Sequence, residues 1–242
     1  MASKAAHQYI NMSSGKTEYY TPRPIVNAAR CVMGHFDLDV ASSQVANDEI
    51  VQATLFYEKP ESRVVDHWWS QKLKKHLPVI EFDGWGGLDR PWRGKIWMNH
   101  PFAVPEQPCK SGCTLKRCED RGWHTASKLP GTEHWIDRLV HEYRYGSVDE
   151  AMCITFASPG EGWAQSLAPF AKCFLSGRTH YLDPDTLEPI KNATKGSMVT
   201  YFGDRPDAFD FVFAAYGEVK FSFASLDQFF KNKYEGKCAP RL

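Results

Sequence analysis

The stretch KIWMNHPF, residues 95–102, decides the fold class of this chain. Its first half is a short continuous apolar run, which is typical of a strand that is buried on both faces. Its second half is polar and contains a proline, which is typical of a loop. In open α/β sheets, ligands bind beyond the carboxyl ends of the strands. The stretch therefore predicts a strand whose carboxyl end carries a functional loop.

Periodic segments on both sides of this stretch extend the prediction to a sheet. Residues 36–40, FDLDV, alternate apolar and acidic side chains and predict a second strand that ends in polar residues. The helical spacing of apolar residues predicts helices over 23–33 and 132–145, and a further apolar run predicts a strand over 151–156. Strands that alternate with helices predict an α/β fold with helices on both faces of the sheet.

The weaker patterns predict further elements. In chain order, they are a covering helix or ordered loop within 44–78, a strand over 78–82, a flexible connection over 84–87, a helix over 163–170, strands over 173–175, 178–182, 197–203 and 209–213, and a helix over 225–232. Residues 1–17 are polar and aperiodic, so they predict a flexible N-terminal arm. Residues 18–242 then form a single domain, which includes an insertion over 103–130.

Composition limits the classes of function. The chain has 242 residues and 43% apolar content, which suffices for one sizeable α/β domain and excludes a disordered chain. The 29 Lys and Arg balance the 29 Asp and Glu, so binding to nucleic acid would need a local basic patch. The chain has no apolar run of membrane-spanning length, and its first residues lack the apolar segment of a signal peptide. We therefore expect a cytoplasmic protein with no membrane partner.

The loop NHPF resembles the Asn/Asp/Ser-Pro-Pro-aromatic loop of S-adenosylmethionine-dependent methyltransferases that act on exocyclic amines of nucleobases. The lone pair of such an amine is delocalised into the ring, so an enzyme must accept hydrogen bonds from both N–H groups to turn it towards the methyl donor. The Asn99 side chain and the main-chain carbonyl of His100 are suitable acceptors. Phe102 offers a face on which a flipped-out base stacks, and Pro101 holds the loop extended.

The resemblance extends over about residues 18–203. Five blocks occur in order: EYYTP at 18–22, FDLDVAS at 36–42, a block from Gly87 to Asn99, FLSGR at 174–178 and YFG at 201–203. Together they resemble the phage-type DNA N6-adenine methyltransferase family, which is Dam-like.

This resemblance implies a Rossmann-like class I methyltransferase sheet and S-adenosylmethionine as cofactor. The implied substrate is adenine N6 in double-stranded DNA, and the implied setting is a phage or prophage protein in the cytoplasm of a bacterial host. The catalytic residues implied are Asn99, His100, Pro101 and Phe102. The cofactor-binding residues implied are Tyr20, Thr21, Pro22, Asp37, Asp39, Ala41 and Ser42. An alternative interpretation is that Asp37 and Asp39 are merely solvated.

His100 departs from the family, which usually has proline at this position. It adds an N–H and a titratable ring beside the reacting base. Three interpretations stay open: a working variant of the loop, a different base-modifying enzyme that uses His100, and a catalytically silent DNA-binding relative. Cytosine N4 is also an open target, because the same logic applies to its amine. Cytosine C5 is not expected, because the loop lacks the Pro-Cys pair that supplies a thiolate.

A Cys/His cluster lies in the insertion. Three cysteines and one histidine at short spacings, which can close a tetrahedral structural zinc site, are Cys109, Cys113, Cys118 and His124. The segment between them has too few apolar residues to fold by burial alone, which favours metal. The alternative is three incidental reduced thiols in a surface loop. The total of seven cysteines is odd, and the clustering argues against a disulfide framework.

The insertion is also locally basic. Its cations are Lys110, Lys116, Arg117, Arg121 and Lys128. They predict a contact with the phosphate backbone of DNA, with a solvated charged loop as the alternative. Trp68, Trp69 and Trp85 are interpreted as packing residues, with the entrance of the target-base site as the other possibility. The sequence leaves the oligomeric state open.

Overall fold

A computed structural model describes residues 19–190 and 195–222 of the chain. The strands in these ranges are β1 (Leu38–Ser42), β2 (Leu55–Glu58), β3 (Ser62–Ser70), β4 (Lys75–Phe82), β5 (Arg93–Met98), β6 (His124–Thr125), β7 (Ser147–Phe156), β8 (Ala171–Leu175), β9 (Ser197–Phe202) and β10 (Gly217–Lys220). The α-helices are α1 (Arg23–Met33), α2 (Gln44–Ala46), α3 (Lys116–Arg121), α4 (Thr132–Tyr145), α5 (Gly162–Ser166) and α6 (Pro206–Phe213). The protein is therefore a mixed α/β protein.

Seven of the strands form a central sheet in the order β10-β8-β9-β7-β5-β1-β2. Strands β2, β1, β5 and β7 are parallel to one another, whereas β9 is antiparallel to both β7 and β8. Strand β10 closes the edge in antiparallel pairing with β8. Because β1 and β5 are adjacent and parallel, their polar carboxyl ends meet at one edge of the sheet. This arrangement is compatible with a Rossmann-like fold.

Helices cover both faces of the central sheet because successive strand residues point to opposite sides. On one face, α1 and α6 pack on a core that includes Trp97, Met152 and Val199. On the other face, α4 packs on a core that includes Ile96 and Met98. Each large apolar side chain buried in these cores stabilises the fold by about 1.5–3 kcal/mol. The two cores hold the carboxyl ends of β1 and β5 in fixed positions.

A second, smaller sheet has the order β3-β4-β6. Strands β3 and β4 form an antiparallel hairpin, and β6 pairs in parallel with β4, with Val79 opposite His124. Leu77 and Val79 are the buried residues of β4. Residues 103–130, predicted as an insertion without a core, are thus joined to a hairpin from an earlier part of the chain.

Several predicted elements are confirmed. The helices over 23–33 and 132–145 match α1 and α4, and the strands over 95–98, 151–156, 173–175 and 197–203 overlap β5, β7, β8 and β9. The strand predicted over 36–40 is displaced to Leu38–Ser42. Helix α1 begins after Pro22 and ends at Gly34, whose φ of 84° suits a residue without a side chain.

The interpretation of residues 64–69 and 71–76, within the range 44–78, as a covering helix or ordered loop was wrong. Residues 64–69 lie in β3, and residues 71–76 form the hairpin turn and the start of β4. Valine and tryptophan favour the extended backbone, and β4 supplies the hydrogen-bonding partner. The strand predicted over 78–82 therefore belongs to the smaller sheet. The connection predicted over 84–87 as flexible enters a 3₁₀ turn at Gly86–Asp89.

Three predictions in the last third need correction. Residues 209–213 lie in α6, because Pro206 starts a helix and Phe209 and Phe213, four residues apart, are fully buried. The predicted strand over 178–182 is reduced to single bridges at Leu182, since the free edge of β8 is taken by β10. The helix predicted over 163–170 is shortened to α5.

Two predictions, the arm over 1–17 and the helix over 225–232, lie outside the described residues. Within residues 19–190 and 195–222, no helix combines the length and apolar character needed to cross a bilayer.

Candidate functional site

A cavity of about 270 Å³ lies at the carboxyl ends of β1 and β5. Residues from both predicted groups line it together: Tyr20, Thr21, Asp39, Ala41, Ser42, Asn99, His100, Pro101 and Phe102. Its volume is near the lower end of the range for small-molecule sites, about 300 Å³. The fold thus brings the predicted catalytic loop next to most of the predicted cofactor residues.

Asn99 follows β5 directly, and its side chain is held in one orientation. Its Nδ2 donates a hydrogen bond to the main-chain carbonyl of Tyr19 at 2.7 Å. Since Nδ2 is engaged in this way, Oδ1 is the free end of the amide, and it accepts no hydrogen bond from the described part of the chain. Asn99 therefore offers a preoriented acceptor at the cavity.

His100 has a buried imidazole, with only 1% of the residue exposed. Neither ring nitrogen has a hydrogen-bond partner among the described residues. The ring contacts Phe102 edge-on at 5.2 Å and also lies near Trp135. Burial lowers the pKa of His100 to about 3, so the imidazole is neutral at physiological pH. A polar ligand in the cavity would relieve the cost of its unpaired nitrogens.

Another part of the cavity lining combines a buried hydroxyl with a buried carboxyl group. Thr21 is 3% exposed, and its Oγ1 has no partner within residues 19–190 and 195–222. Asp39 is 2% exposed and accepts a hydrogen bond from the Ala41 amide at 3.2 Å. Burial raises the pKa of Asp39 to about 7, although hydrogen bonds from Ser42 and Ala41 oppose this shift. A cationic or hydroxyl-bearing ligand would stabilise the charged form of this carboxylate.

Two of the predicted cofactor residues, Asp37 and Pro22, do not line the cavity. Asp37 precedes β1 at the opposite end of the strand, where its carboxylate accepts a hydrogen bond from the Lys95 amide at 2.8 Å and lies 3.2 Å from His35. Pro22 caps the start of α1. The prediction that placed them in the cofactor site is corrected accordingly: Asp37 precedes β1 and is bound by the Lys95 amide, whereas Asp39, the second residue of β1, lines the cavity.

Aromatic residues form much of the remaining wall. The Phe102 ring lies 4.4 Å from the Phe156 ring, which fixes its orientation. Trp85 lines the cavity, and its indole donates a hydrogen bond to the Lys128 carbonyl at 3.0 Å. Trp123, which packs on Phe82 in the smaller sheet, lines it as well. The cavity thus has a polar wall and a wall of aromatic faces.

Sequence reasoning missed most of the residues that reach the cavity from the smaller sheet and from the loop of residues 103–130. Phe82, Glu106, Arg121 and Trp123 line it, and none of them was predicted as a catalytic, cofactor-binding or metal-binding residue. The short segment GWGG at 84–87 was the available signal for the neighbouring wall. A side chain at Gly87 would collide with the Val40 carbonyl, so this turn can lie directly on the end of β1.

The four predicted metal ligands form one cluster. The ligand atoms of Cys109, Cys113, Cys118 and His124 all lie within 4.8 Å of one another. The Cys118 sulfur lies 3.6 Å from that of Cys109 and 3.9 Å from that of Cys113. Zn–S bonds of about 2.3 Å in a tetrahedron place sulfurs about 3.8 Å apart. The cluster therefore has the spacing to hold a metal ion.

The surroundings of the cluster fit a closed structural site. His124 is 1% exposed, and its Nδ1 has no partner in the described chain, so this nitrogen is available as a ligand. Burial and the neighbouring thiols raise the pKa of Cys118 to about 12. A divalent cation would offset this cost by stabilising the thiolates. The Cys109 amide also donates a hydrogen bond to the Thr125 carbonyl at 2.8 Å, which ties the cluster to β6.

Comparisons of the chain with known protein families, with curated proteins and with solved structures found no match.

Proposed function

We propose that this protein is an S-adenosylmethionine-dependent methyltransferase that acts on adenine N6 in double-stranded DNA. The observation that carries the proposal is the preoriented Asn99 amide at the carboxyl end of β5. Its Nδ2 is engaged by the Tyr19 carbonyl, which leaves Oδ1 to accept a hydrogen bond from an exocyclic amine. The resemblance of the sequence motifs to the phage-type family supports the same reaction.

The residues of the loop have separate tasks in this proposal. Asn99 Oδ1 and the His100 carbonyl accept the two N–H groups of the amine and direct its lone pair out of the plane of the base. Phe102, held in place by Phe156, provides the face on which the flipped-out base stacks. When bound, the cofactor supplies an electrophilic methyl group. The chain forms no covalent bond to the base.

The polar wall of the cavity fits the cofactor. The unpartnered Thr21 hydroxyl and the Asp39 carboxylate can bind a ligand that carries an ammonium group or ribose hydroxyls. Ala41 and Ala46 leave room for close approach of the ligand. We include Tyr20, which is hydrogen-bonded to Ser43, and leave out Asp37 and Pro22 because of where they lie.

For the Cys/His cluster, we propose structural zinc. Three thiolates and one imidazole form a complete tetrahedral set, which leaves no open position for catalysis. The cluster also joins the loop of residues 103–130 to the smaller sheet. Zinc would therefore support the wall of the cavity that Trp123 and Arg121 form.

Mass spectrometry of nucleosides tests the proposed reaction. DNA from cells that express the protein should contain N6-methyladenine, and DNA from cells that express Asn99→Ala should not. Losing one preoriented hydrogen-bonding group typically slows a reaction by about 10²–10³-fold. Detection of N4-methylcytosine in place of N6-methyladenine would change the proposed target base from adenine to cytosine. Wild-type levels of modification by Asn99→Ala would refute the catalytic assignment of the loop.

A second candidate is a catalytically silent DNA-binding relative. It is favoured by His100, whose buried ring takes space at the cavity where the family usually has proline. Calorimetry with S-adenosylmethionine separates the two candidates. A silent protein does not need a tight cofactor site, whereas the proposed enzyme should bind the cofactor at micromolar strength.

A further inference from the structure

The β3–β4 hairpin is an exposed feature that the proposed reaction does not use. Residues 62–67 on β3 and residues 71–76 around the turn are all exposed. The hairpin carries large apolar groups in contact with solvent, including Val64 and Trp69, which are 52% and 46% exposed. Exposed strands of this length usually have a partner or are protected by charge.

The hairpin and the loop of residues 103–130 form a basic module in a chain without net charge. Residues 62–82 and 103–130 contain nine Lys and Arg against five Asp and Glu, although the whole chain has 29 of each. The rest of the chain is therefore net acidic. Zinc bound by three thiolates adds a formal charge of about −1, so the module stays positive. Such an asymmetry is the electrostatic signature of a surface that binds a polyanion.

Most acidic groups of the module are already neutralised within it. Glu81 pairs with Arg63, Glu106 pairs with Arg117 and Arg121, and Glu119 and Asp120 pair with Lys72.

Four exposed cations of the module have no ion pair with the described residues. They are Lys74 and Lys75 at the turn, Lys110 in the Cys/His loop, and Lys128, which lies over the Trp85 ring. Within the described part of the chain, the Lys74 ammonium donates one hydrogen bond, to Gln71 Oε1 at 3.4 Å. These cations are free to bind phosphate groups.

The hairpin has a fixed position relative to the cavity. Strand β4 begins at Lys75 beside the turn and ends at Phe82, which lines the cavity. Eight residues of strand at about 3.4 Å per residue place the turn about 24 Å from the cavity wall. Since double-stranded DNA rises about 3.4 Å per base pair, this distance spans about seven base pairs.

The Cys/His cluster braces this hairpin. The ligand His124 is paired with Val79 on β4, and Lys72 at the turn pairs with Glu119 on α3 beside Cys118. Metal binding would therefore hold the hairpin against the rest of the module.

We infer that the β3–β4 hairpin, through Lys74 and Lys75, binds the phosphate backbone of duplex DNA about seven base pairs from the base that enters the cavity. The inference rests on the proposed function, which makes duplex DNA the substrate. It adds a binding surface outside the catalytic loop. Its affinity should depend on salt and not on base sequence, because contacts to phosphates carry no sequence information.

Fluorescence anisotropy with a labelled 30-base-pair duplex of mixed sequence tests the inference, with full-length, zinc-loaded protein between 50 and 200 mM NaCl. Each phosphate contact contributes about 0.9 to the slope of log affinity against log salt. The double variant Lys74→Gln/Lys75→Gln should therefore have a slope that is smaller by about 1.8. Between 50 and 200 mM NaCl, the factor by which the affinity of the double variant for DNA falls should be about twelvefold smaller than the factor for the wild type.

Three controls keep the result interpretable. Lys74→Arg/Lys75→Arg retains the charges and should keep the wild-type slope. Arg93→Gln removes an exposed cation at the start of β5, at the far end of the sheet from the cavity, and should also leave the slope unchanged. Thermal unfolding of each variant establishes that it is folded.

The outcomes separate this inference from the proposed function. Equal slopes for wild type and the folded Gln double variant would overturn the hairpin surface, even if the protein methylates DNA. A reduced slope in a protein that neither binds S-adenosylmethionine nor modifies DNA would support the surface and refute the enzyme.

Discussion

Asp39 offers a prediction whose magnitude follows from its burial alone. Asp39 is the second residue of β1 and is 2% exposed, and burial raises the pKa of its carboxyl group from 3.8 to about 7. Between these two pH values, the folded protein binds a proton that the unfolded chain releases. The free energy of unfolding should therefore fall as the pH rises from about 4 to about 7. At about 1.36 kcal/mol per pH unit, the full loss amounts to about 4 kcal/mol.

The perturbation is Asp39→Asn, which removes the titrating group but keeps an oxygen that accepts the Ala41 amide. At pH 5 most of the folded wild type is protonated at Asp39, and at pH 8 it is charged. We compare the free energy of unfolding of Asp39→Asn with that of the wild type. The difference, variant minus wild type, should increase by about 2.7 kcal/mol between pH 5 and pH 8. Changes in zinc affinity with pH affect both proteins equally and cancel in this difference.

Urea unfolding of both proteins, followed by tryptophan fluorescence at pH 5, 6, 7 and 8, measures this difference. A gap that stays constant within about 0.5 kcal/mol, the usual accuracy of such comparisons, would refute the reasoning that Asp39 is a desolvated carboxyl group. Calorimetry adds a second readout. If the cofactor binds the charged carboxylate, the affinity of the wild type for S-adenosylmethionine should fall about tenfold from pH 6 to pH 5, and that of Asp39→Asn should be weak and independent of pH.

Further predictions concern the cluster and the loop. Elemental analysis of protein purified without chelator should find about one zinc per chain. Cys113→Ser should lose most of this zinc, because three ligands hold the metal far less tightly than four. Zinc well below equimolar in the wild type would mean that the thiols are incidental. His100→Pro should keep the modification that mass spectrometry detects in the wild type, because an imidazole with a pKa of about 3 is too weak a base to accept a proton near neutral pH. Loss of modification by a folded His100→Pro protein that still binds the cofactor would show that the imidazole takes part in the reaction.

The sequence by itself determined the elements whose stability is local. Helix α1 and helix α4 follow from helical spacing between a start and a stop signal, and β5 follows from a short apolar run. The Cys/His cluster was also predictable, because its four ligands lie within sixteen residues and short spacing limits how far apart they can be. The loop after β5 was predictable as a site, because parallel strands place their carboxyl ends at one edge.

Tertiary structure alone decided the rest. Residues 64–69 form a strand because they pair with the edge of β4, which follows them in the chain. The sequence of a single strand does not show which segment it will pair with. Residues 206–213 have the aromatic content of a strand, yet they form α6 because Phe209 and Phe213 fill the core beside Tyr201.

Tertiary structure also decided which residues line the cavity. Asp37 and Asp39 are two residues apart in the sequence, but the Asp37 carboxylate is bound by the Lys95 amide of the neighbouring strand, and only Asp39 reaches the cavity. Trp123 and Phe82 reach it through the packing of the smaller sheet, which depends on contacts between distant parts of the chain. Local patterns specify the backbone conformation, whereas the walls of a cavity depend on which distant segments pack together, and this is decided by burial in the whole fold.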